Sequence, residues 1–157
     1  MKRRIMMIVT WFCIIAAVCA AADFNGNWRL NQSKSDFANG LPDSKPVQKG
    51  PKNPNLGIMN IRMTRNEMSI TRATNPPDRR EVAFLLDGAT HTDGAGRSTY
   101  QAAWSGQTLT ITETLLSGIH RQRQYSISGD GKTLTVVFTL HDNNGKQVLV
   151  RIYDRVK

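Results

Sequence analysis

Two arginines and a tyrosine alternate along one short segment of the chain, and this spacing could bind an anion. Arg121, Arg123 and Tyr125 stand at every second position, so in a β-strand they project from one face. The same face carries the apolar residues Ile119 and Ile127. Guanidinium groups beside apolar walls could hold a carboxylate or phosphate head while the walls hold a tail.

A glutamate on the neighbouring segment offers a competing explanation. Counting across the connecting loop sets Glu113 opposite Arg121, and a charge withdrawn from water needs a partner. For these residues taken alone, we prefer a structural Glu113–Arg121 pair at the rim of the fold, without a ligand. Tyr100, on the preceding candidate strand, faces the same side and completes the set of candidate ligand-binding residues.

No catalytic residue and no metal ligand stands out in the sequence. His91 and Asp93 lie in one loop, with His120 and His141 far along the chain, whereas a metal centre needs three or four converging ligands. No nucleophile motif, glycine-rich phosphate loop or paired acid arrangement occurs. We therefore expect no enzyme activity, no metal and no cofactor.

β-Strands must position these side chains, and hairpin signals set their registers. Asp130-Gly131 is a strong two-residue turn signal, and Ser105-Gly106 is interpreted as a second two-residue turn. A one-residue slip at the first turn would bury polar groups at every second position, so the register with the arginines inside is preferred. The predicted pairs are Arg123–Phe138 across the first turn and Tyr100–Ile111 across the second.

The register of the last hairpin is open. Its turn is marked by Asn143-Asn144-Gly145. A three-residue turn pairs Phe138 with Val150, whereas a two-residue turn pairs Phe138 with Arg151. We prefer the first register, because it keeps one face of the last strand apolar.

The whole pattern predicts an all-β fold, an antiparallel up-and-down meander of about eight to nine strands. Closure into a barrel would remove the exposed sheet edges, and a barrel of this size can enclose one small ligand. A two-sheet sandwich is the alternative. Gly88–Gly96 is predicted to be a glycine-rich loop, and residues 38–55, with four of the six prolines, form either a lid or a disordered loop.

The start of this domain resembles a known group of proteins. Gly26–Asn31 reads Gly-Asn-Trp-Arg-Leu-Asn, and Ser33-Lys34-Ser35 and Phe37 follow it. With the meander behind it, this opening resembles small exported bacterial proteins that carry a lipocalin-like domain, and more widely the calycin group. The hairpin from Gly129 to Val136 also resembles that group.

The resemblance implies a lipocalin-like barrel with a ligand cavity and one capped end. It implies that Trp28, two positions after Gly26, packs at the closed end of the barrel. It further implies that an arginine of the last strand, Arg151 or Arg155, covers the indole ring. We expect these residues to be structural.

The first 22 residues have the features of a signal peptide. A basic start at residues 2–4 precedes the apolar run Ile5–Val18, and Ala20-Ala21-Ala22 offers a cleavage site. The domain then spans residues 23–157 and is exported, periplasmic or secreted. An uncleaved anchor, or a lipid on Cys19, is a less favoured alternative.

The net charge of the chain limits the classes of partner that it is expected to bind. The formal net charge is +9, but the basic residues are scattered rather than clustered. We expect no nucleic-acid binding and at most weak contact with an anionic membrane surface. The favoured function is a monomeric binding module for a small apolar or amphipathic ligand, anionic and lipid-like in one version. The alternative is a structural or interaction protein whose barrel is filled with side chains.

Overall fold

The computed structural model describes residues 22–36, 57–72, 80–142 and 145–156. The predicted signal peptide before Ala22, the loop at 38–55 and the turn residues Asn143 and Asn144 lie outside the described residues. Among the described residues, no helix is both long and apolar enough to cross a membrane.

Ten antiparallel strands form one sheet, and the predicted all-β meander is confirmed. The strands are β1 (Gly26–Leu30), β2 (Ile58–Met63), β3 (Glu67–Arg72), β4 (Arg80–Leu85), β5 (Thr90–Thr92), β6 (Ser98–Ser105), β7 (Thr108–Leu115), β8 (His120–Ile127), β9 (Thr133–Asp142) and β10 (Gly145–Val156). A short 3-10 turn at Gln32–Lys34 follows β1. The order across the sheet is β4-β3-β2-β1-β10-β9-β8-β7-β6-β5.

The sheet curls into a nearly closed barrel, with β4 and β5 as its two edge strands. Side chains bridge the remaining seam. The hydroxyl of Tyr100 on β6 accepts a hydrogen bond of 3.2 Å from the backbone N–H of Leu85 on β4. The Tyr100 ring also meets Phe84 edge-on, with ring centroids 5.1 Å apart.

The strand count exceeds the prediction of eight to nine because β5 occupies the predicted glycine-rich loop. Gly88 and Gly96 have φ angles of 74° and 66° and turn the chain on either side of it. Glycine adopts this left-handed region without a steric cost. The stretch between the two turns is left extended and pairs with β6 through Thr90–Thr92.

Two of the predicted hairpin registers can be compared directly with the structure. The pairing of Arg123 with Phe138 is confirmed. The pairing of Tyr100 with Ile111 is wrong, because Tyr100 lies opposite Glu113. Gly106, with φ of 59°, occupies the first position of the turn, which is where a two-residue hairpin of this type requires glycine. The register therefore shifts by two residues, and the inward face is unchanged.

For the last hairpin neither predicted register is correct. Phe138 lies opposite Leu149, so the odd-numbered residues of β10 face inward. The pairing of β1 with β10 sets this face, because it places Tyr153 inside the barrel opposite Leu30. Burying the tyrosine ring outweighs leaving Val148 50% exposed on the outer face.

Among the described residues, the apolar interior is packed more tightly at one end than at the other. We call the end with Trp28 and the Gly129–Lys132 turn the closed end, and the opposite end, with the β7–β8 turn, the open end. Along β9 the inward-facing Leu134 and Val136 are buried, whereas Phe138 and Leu140 are only half-buried. The described residues therefore form a cup with a packed floor and a less tightly packed upper half.

Candidate functional site

The upper half of the cup carries the polar residues that the sequence singled out. Cross-strand pairing arranges inward-facing residues of β7, β8, β9 and β10 in three rows, from the floor upwards. The rows are Leu109, Tyr125, Val136 and Arg151; then Ile111, Arg123, Phe138 and Leu149; then Glu113, Arg121, Leu140 and Gln147. Each row thus places polar or charged groups beside apolar walls.

Glu113 forms ion pairs with both of the arginines that the sequence predicted to face inward. Its Oε2 lies 2.6 Å from Nη2 of Arg123, and its Oε1 lies 3.6 Å from Nη2 of Arg121. The side chains of Glu113, Arg123 and Arg121 are 8%, 14% and 28% exposed, respectively. The carboxylate is therefore largely buried and its closest partner is Arg123, in contrast to a simple Glu113–Arg121 pair at the rim. One negative charge faces two positive charges.

Two buried donors on the inward face of β8 lack an acceptor. Arg121 Nε and the Tyr125 hydroxyl have no hydrogen-bond partner in the described part of the chain. Glu113 Oε2 also lacks a hydrogen bond of good geometry, although it forms the close ion pair with Arg123. An unsatisfied buried polar group costs roughly 1–3 kcal/mol. Such groups in a native fold call for an explanation, of which a ligand or water is one.

The Tyr125 hydroxyl is strongly affected by its position at the floor of the cup. Burial raises the pKa of this hydroxyl, and the neighbouring positive charge of Arg123 opposes the rise. The folded state therefore holds the tyrosine proton more tightly than the unfolded state does. This contribution to stability is fully present below about pH 10, the ordinary tyrosine value, and is lost as the pH rises further.

We expect Tyr125→Phe to raise the free energy of unfolding at neutral pH by roughly 1 kcal/mol, because it removes an unsatisfied buried hydroxyl. The variant should also lose less stability than the wild type above about pH 10. Urea midpoints at neutral and alkaline pH measure both effects. Tyr100→Phe is the matched control, since its hydroxyl has a partner, and it should be destabilised. A destabilised Tyr125→Phe variant would contradict the conclusion that the Tyr125 hydroxyl has no hydrogen-bond partner.

Tyr100 lies at the seam between β4 and β6. Its hydroxyl is bonded to Leu85, and its ring lies 5.5 Å from the ring of His91 on β5. It is nevertheless directly opposite Glu113. The Arg123 guanidinium lies 5.8 Å from the centre of the Phe84 ring, so the arginine reaches towards the same seam.

The closed end is sealed by Trp28 and Arg155. Trp28 is fully buried, and its indole N–H donates to the carbonyl of Phe24 at 2.9 Å. The Arg155 guanidinium lies 4.5 Å from the indole centre and donates to the carbonyls of Asp23 and Asn25. Gly26, with φ of 130°, turns the chain into β1 beneath this arginine. The structure places both residues of the Gly-x-Trp motif, together with Arg155, in this plug.

Arg151 does not cover Trp28 at the closed end, although it is one of the two arginines of the last strand that the resemblance implied for that position. It faces inward beside Val136 in the lowest row, half-buried, and forms no ion pair with the described residues. The interpretation of Arg151 as a plug residue is therefore replaced by a position in the cup. The sequence signal for this was the alternation of Leu149, Arg151 and Tyr153, which the preferred register of the last hairpin turned outward.

The histidines are dispersed over the barrel. His91 contacts Asp87, with Nε2 2.8 Å from Oδ1, and this contact lowers the pKa of the aspartate. His120 and His141 lie on the outer face. Within the described ranges, no group of three or more potential ligands is arranged to hold a metal ion.

Several solved structures share this fold. They include zebrafish ileal bile acid-binding protein complexed with cholic acid (19% identity, TM-score 0.57, 85% of this chain and 98% of that chain). A second is the REP1-NXSQ fatty acid transporter (19% identity, TM-score 0.58, 87% of this chain and 98% of that chain). A third is a secretory abundant heat soluble protein from Ramazzottius varieornatus (16% identity, TM-score 0.58, 87% of this chain and 97% of that chain). The chain has a calycin-like barrel fold.

The resemblance to the calycin group is thus confirmed at the level of the barrel. The calycin-like neighbours are similar in fold at low sequence identity. No protein-family model matches the sequence, and no curated protein matches it.

Proposed function

We propose that the open half of the barrel binds a small amphipathic molecule with an anionic head group. The observation that carries this proposal is the surplus of positive charge in the cup. Arg121 and Arg123 share the single carboxylate of Glu113, and Arg151 below them has no described partner. An anionic head group would reduce this imbalance and accept hydrogen bonds from the free Arg121 Nε.

The walls of the cup suit an apolar tail. Phe138, Leu140 and Leu149 face inward yet stay half-buried. Apolar side chains that face an interior and still reach solvent gain free energy when a ligand covers them. A head group at the arginines and a tail along these walls would use both features.

The calycin-like neighbours support a small-ligand function of this class. One of them is complexed with cholic acid, and another is named a fatty acid transporter. Both ligand types join a carboxylic acid to a large apolar body. Catalysis is not proposed, since the neighbours are binding or transport proteins. Export of the domain is also a proposal, supported by the signal-like residues 1–22.

The alternative is a structural or interaction protein without a small ligand. It is favoured by the packed floor, where Trp28, Tyr125 and Phe84 fill the space between the strands. Native mass spectrometry of the purified protein separates the two functions. A bound small molecule of constant mass supports the binding module, and a bare chain after incubation with fatty acids and bile acids supports the alternative.

We expect Arg121→Met to weaken binding of a long-chain fatty acid by about 1–3 kcal/mol, the scale for losing a charge-assisted hydrogen bond. Binding of the matching fatty alcohol should be unchanged. Arg121 is the better test than Arg123, because Arg123 is held by Glu113 and its loss also disturbs the fold.

Titration calorimetry with the acid and the alcohol, on wild type and variant, measures the difference. Arg97→Met, outside the cup, is the matched control and should behave like wild type. Equal losses for the acid and the alcohol would rule out an anion site at Arg121.

A further inference from the structure

The β7–β8 turn at the open end presents an unusually exposed apolar side chain. Leu116 is 83% exposed, more than any other large apolar residue that the structure describes. The turn is nevertheless well held, since the Leu116 N–H donates to the Arg97 carbonyl at 3.1 Å and Gly118 N–H donates to Leu115. The turn therefore holds Leu116 in an exposed position.

Basic and titratable side chains flank this leucine on the outer face. Thr114, His120, His141 and Lys146 form one cross-strand row over β7, β8, β9 and β10. His120, His141 and Lys146 are exposed, and His120 Nδ1 lies 3.1 Å from the Thr114 hydroxyl. We call Arg97, Leu116, His120, His141 and Lys146 the cationic rim.

Few acidic groups oppose this charge in the described part of the chain. Asp93 in the β5–β6 turn accepts the backbone N–H groups of Arg97 and Ser98, and these contacts lower its pKa. Asp142 follows His141 on the other face of β9 and has an interaction of its own. The groups facing the two histidines from the adjoining strands are Thr114 on β7 and Lys146 on β10. Lys146 adds positive charge to that row.

We propose that the cationic rim docks the open end of the barrel on membranes that contain anionic lipids. Leu116 would enter the head-group region while Arg97 and Lys146 meet lipid phosphates. A single protruding leucine between cations suits a soft bilayer surface, whereas a folded partner would have to supply a pocket for it. Residues 23–157 carry a net charge of +6, which is the +9 of the whole chain less Lys2, Arg3 and Arg4, and this charge favours the same kind of surface.

The proposal does not depend on ligand binding in the cup. It concerns an outer surface at the same end of the barrel.

The test is co-sedimentation with vesicles of phosphatidylcholine alone and of phosphatidylcholine with phosphatidylglycerol. We expect binding to the anionic vesicles only. Leu116→Ser should bind several-fold more weakly, roughly the loss of one buried apolar side chain.

Two control residues outside the rim, Lys132 at the closed end and Leu85 on β4, separate the rim from overall charge and from exposed apolar surface elsewhere. Lys132→Gln should bind like wild type while Lys146→Gln binds more weakly, and Leu85→Ser should bind like wild type. Circular dichroism confirms that each variant is folded. Equal losses for the two lysine variants, or no binding to anionic vesicles, would each overturn the proposal.

Discussion

Replacing Trp28 with alanine should lower the free energy of unfolding by about 3–5 kcal/mol, the range for large aromatic truncations in a core. The indole is fully buried at the closed end, where its N–H bonds to the Phe24 carbonyl. The change would leave a cavity beneath the Arg155 guanidinium, which now lies 4.5 Å from the ring centre. Few other single truncations should cost as much.

The denaturant midpoint checks this prediction. Far-ultraviolet circular dichroism is the suitable signal, because it follows the backbone and does not depend on tryptophan fluorescence, which the substitution changes. Val148→Ala is the matched control. Its side chain is half-exposed on the outer face, so its stability should stay within about 0.5 kcal/mol of wild type. A Trp28→Ala midpoint equal to wild type would show that the ring does not seal the barrel.

Glu113→Gln should cost about 3 kcal/mol of unfolding free energy, the lower end of the range for breaking a buried ion pair. The amide keeps the shape of the side chain but leaves the charges of Arg121 and Arg123 without a counter-ion. Arg121 is 28% exposed and reaches water, which limits the loss. The same change should tighten binding of an anionic ligand, because Glu113 competes with the head group for both guanidiniums.

The two effects of Glu113→Gln are measured separately, by urea denaturation and by titration with a fatty acid. Glu67→Gln, an exposed residue at the start of β3, is the control and should change neither. Weaker binding of the acid would mean that Glu113 helps to hold the ligand. Unchanged stability would mean that the carboxylate does not balance the arginines in the folded protein.

Local signals in the sequence predicted the part of the site that lies on β8. The alternation of Arg121 and Arg123 with apolar residues fixed their face, and the Asp130-Gly131 signal fixed their register against β9. Both signals depend on neighbours in the sequence. They could be interpreted without knowing how the rest of the barrel closes.

The face of β10 could not be predicted in the same way. It depends on the pairing with β1, which lies at the other end of the domain, and that pairing buries Tyr153. An apolar outer face with Val148, Val150 and Ile152 looked like the core face by local pattern alone. The local pattern therefore gave no reason to place Arg151 in the cup, and the resemblance offered either Arg151 or Arg155 for the plug.

The seal at the closed end also has a kinetic consequence. Arg155 holds the carbonyl of Asn25, a residue 130 positions earlier in the chain, and β1 lies between β2 and β10. The hairpins from β6 to β9 need only local chain closure, whereas the seam around β1 must wait for the last strand. Such high contact order places folding on a timescale of roughly milliseconds to seconds. Until that step, the apolar floor around Trp28 stays open, and the half-formed barrel is the species most exposed to aggregation.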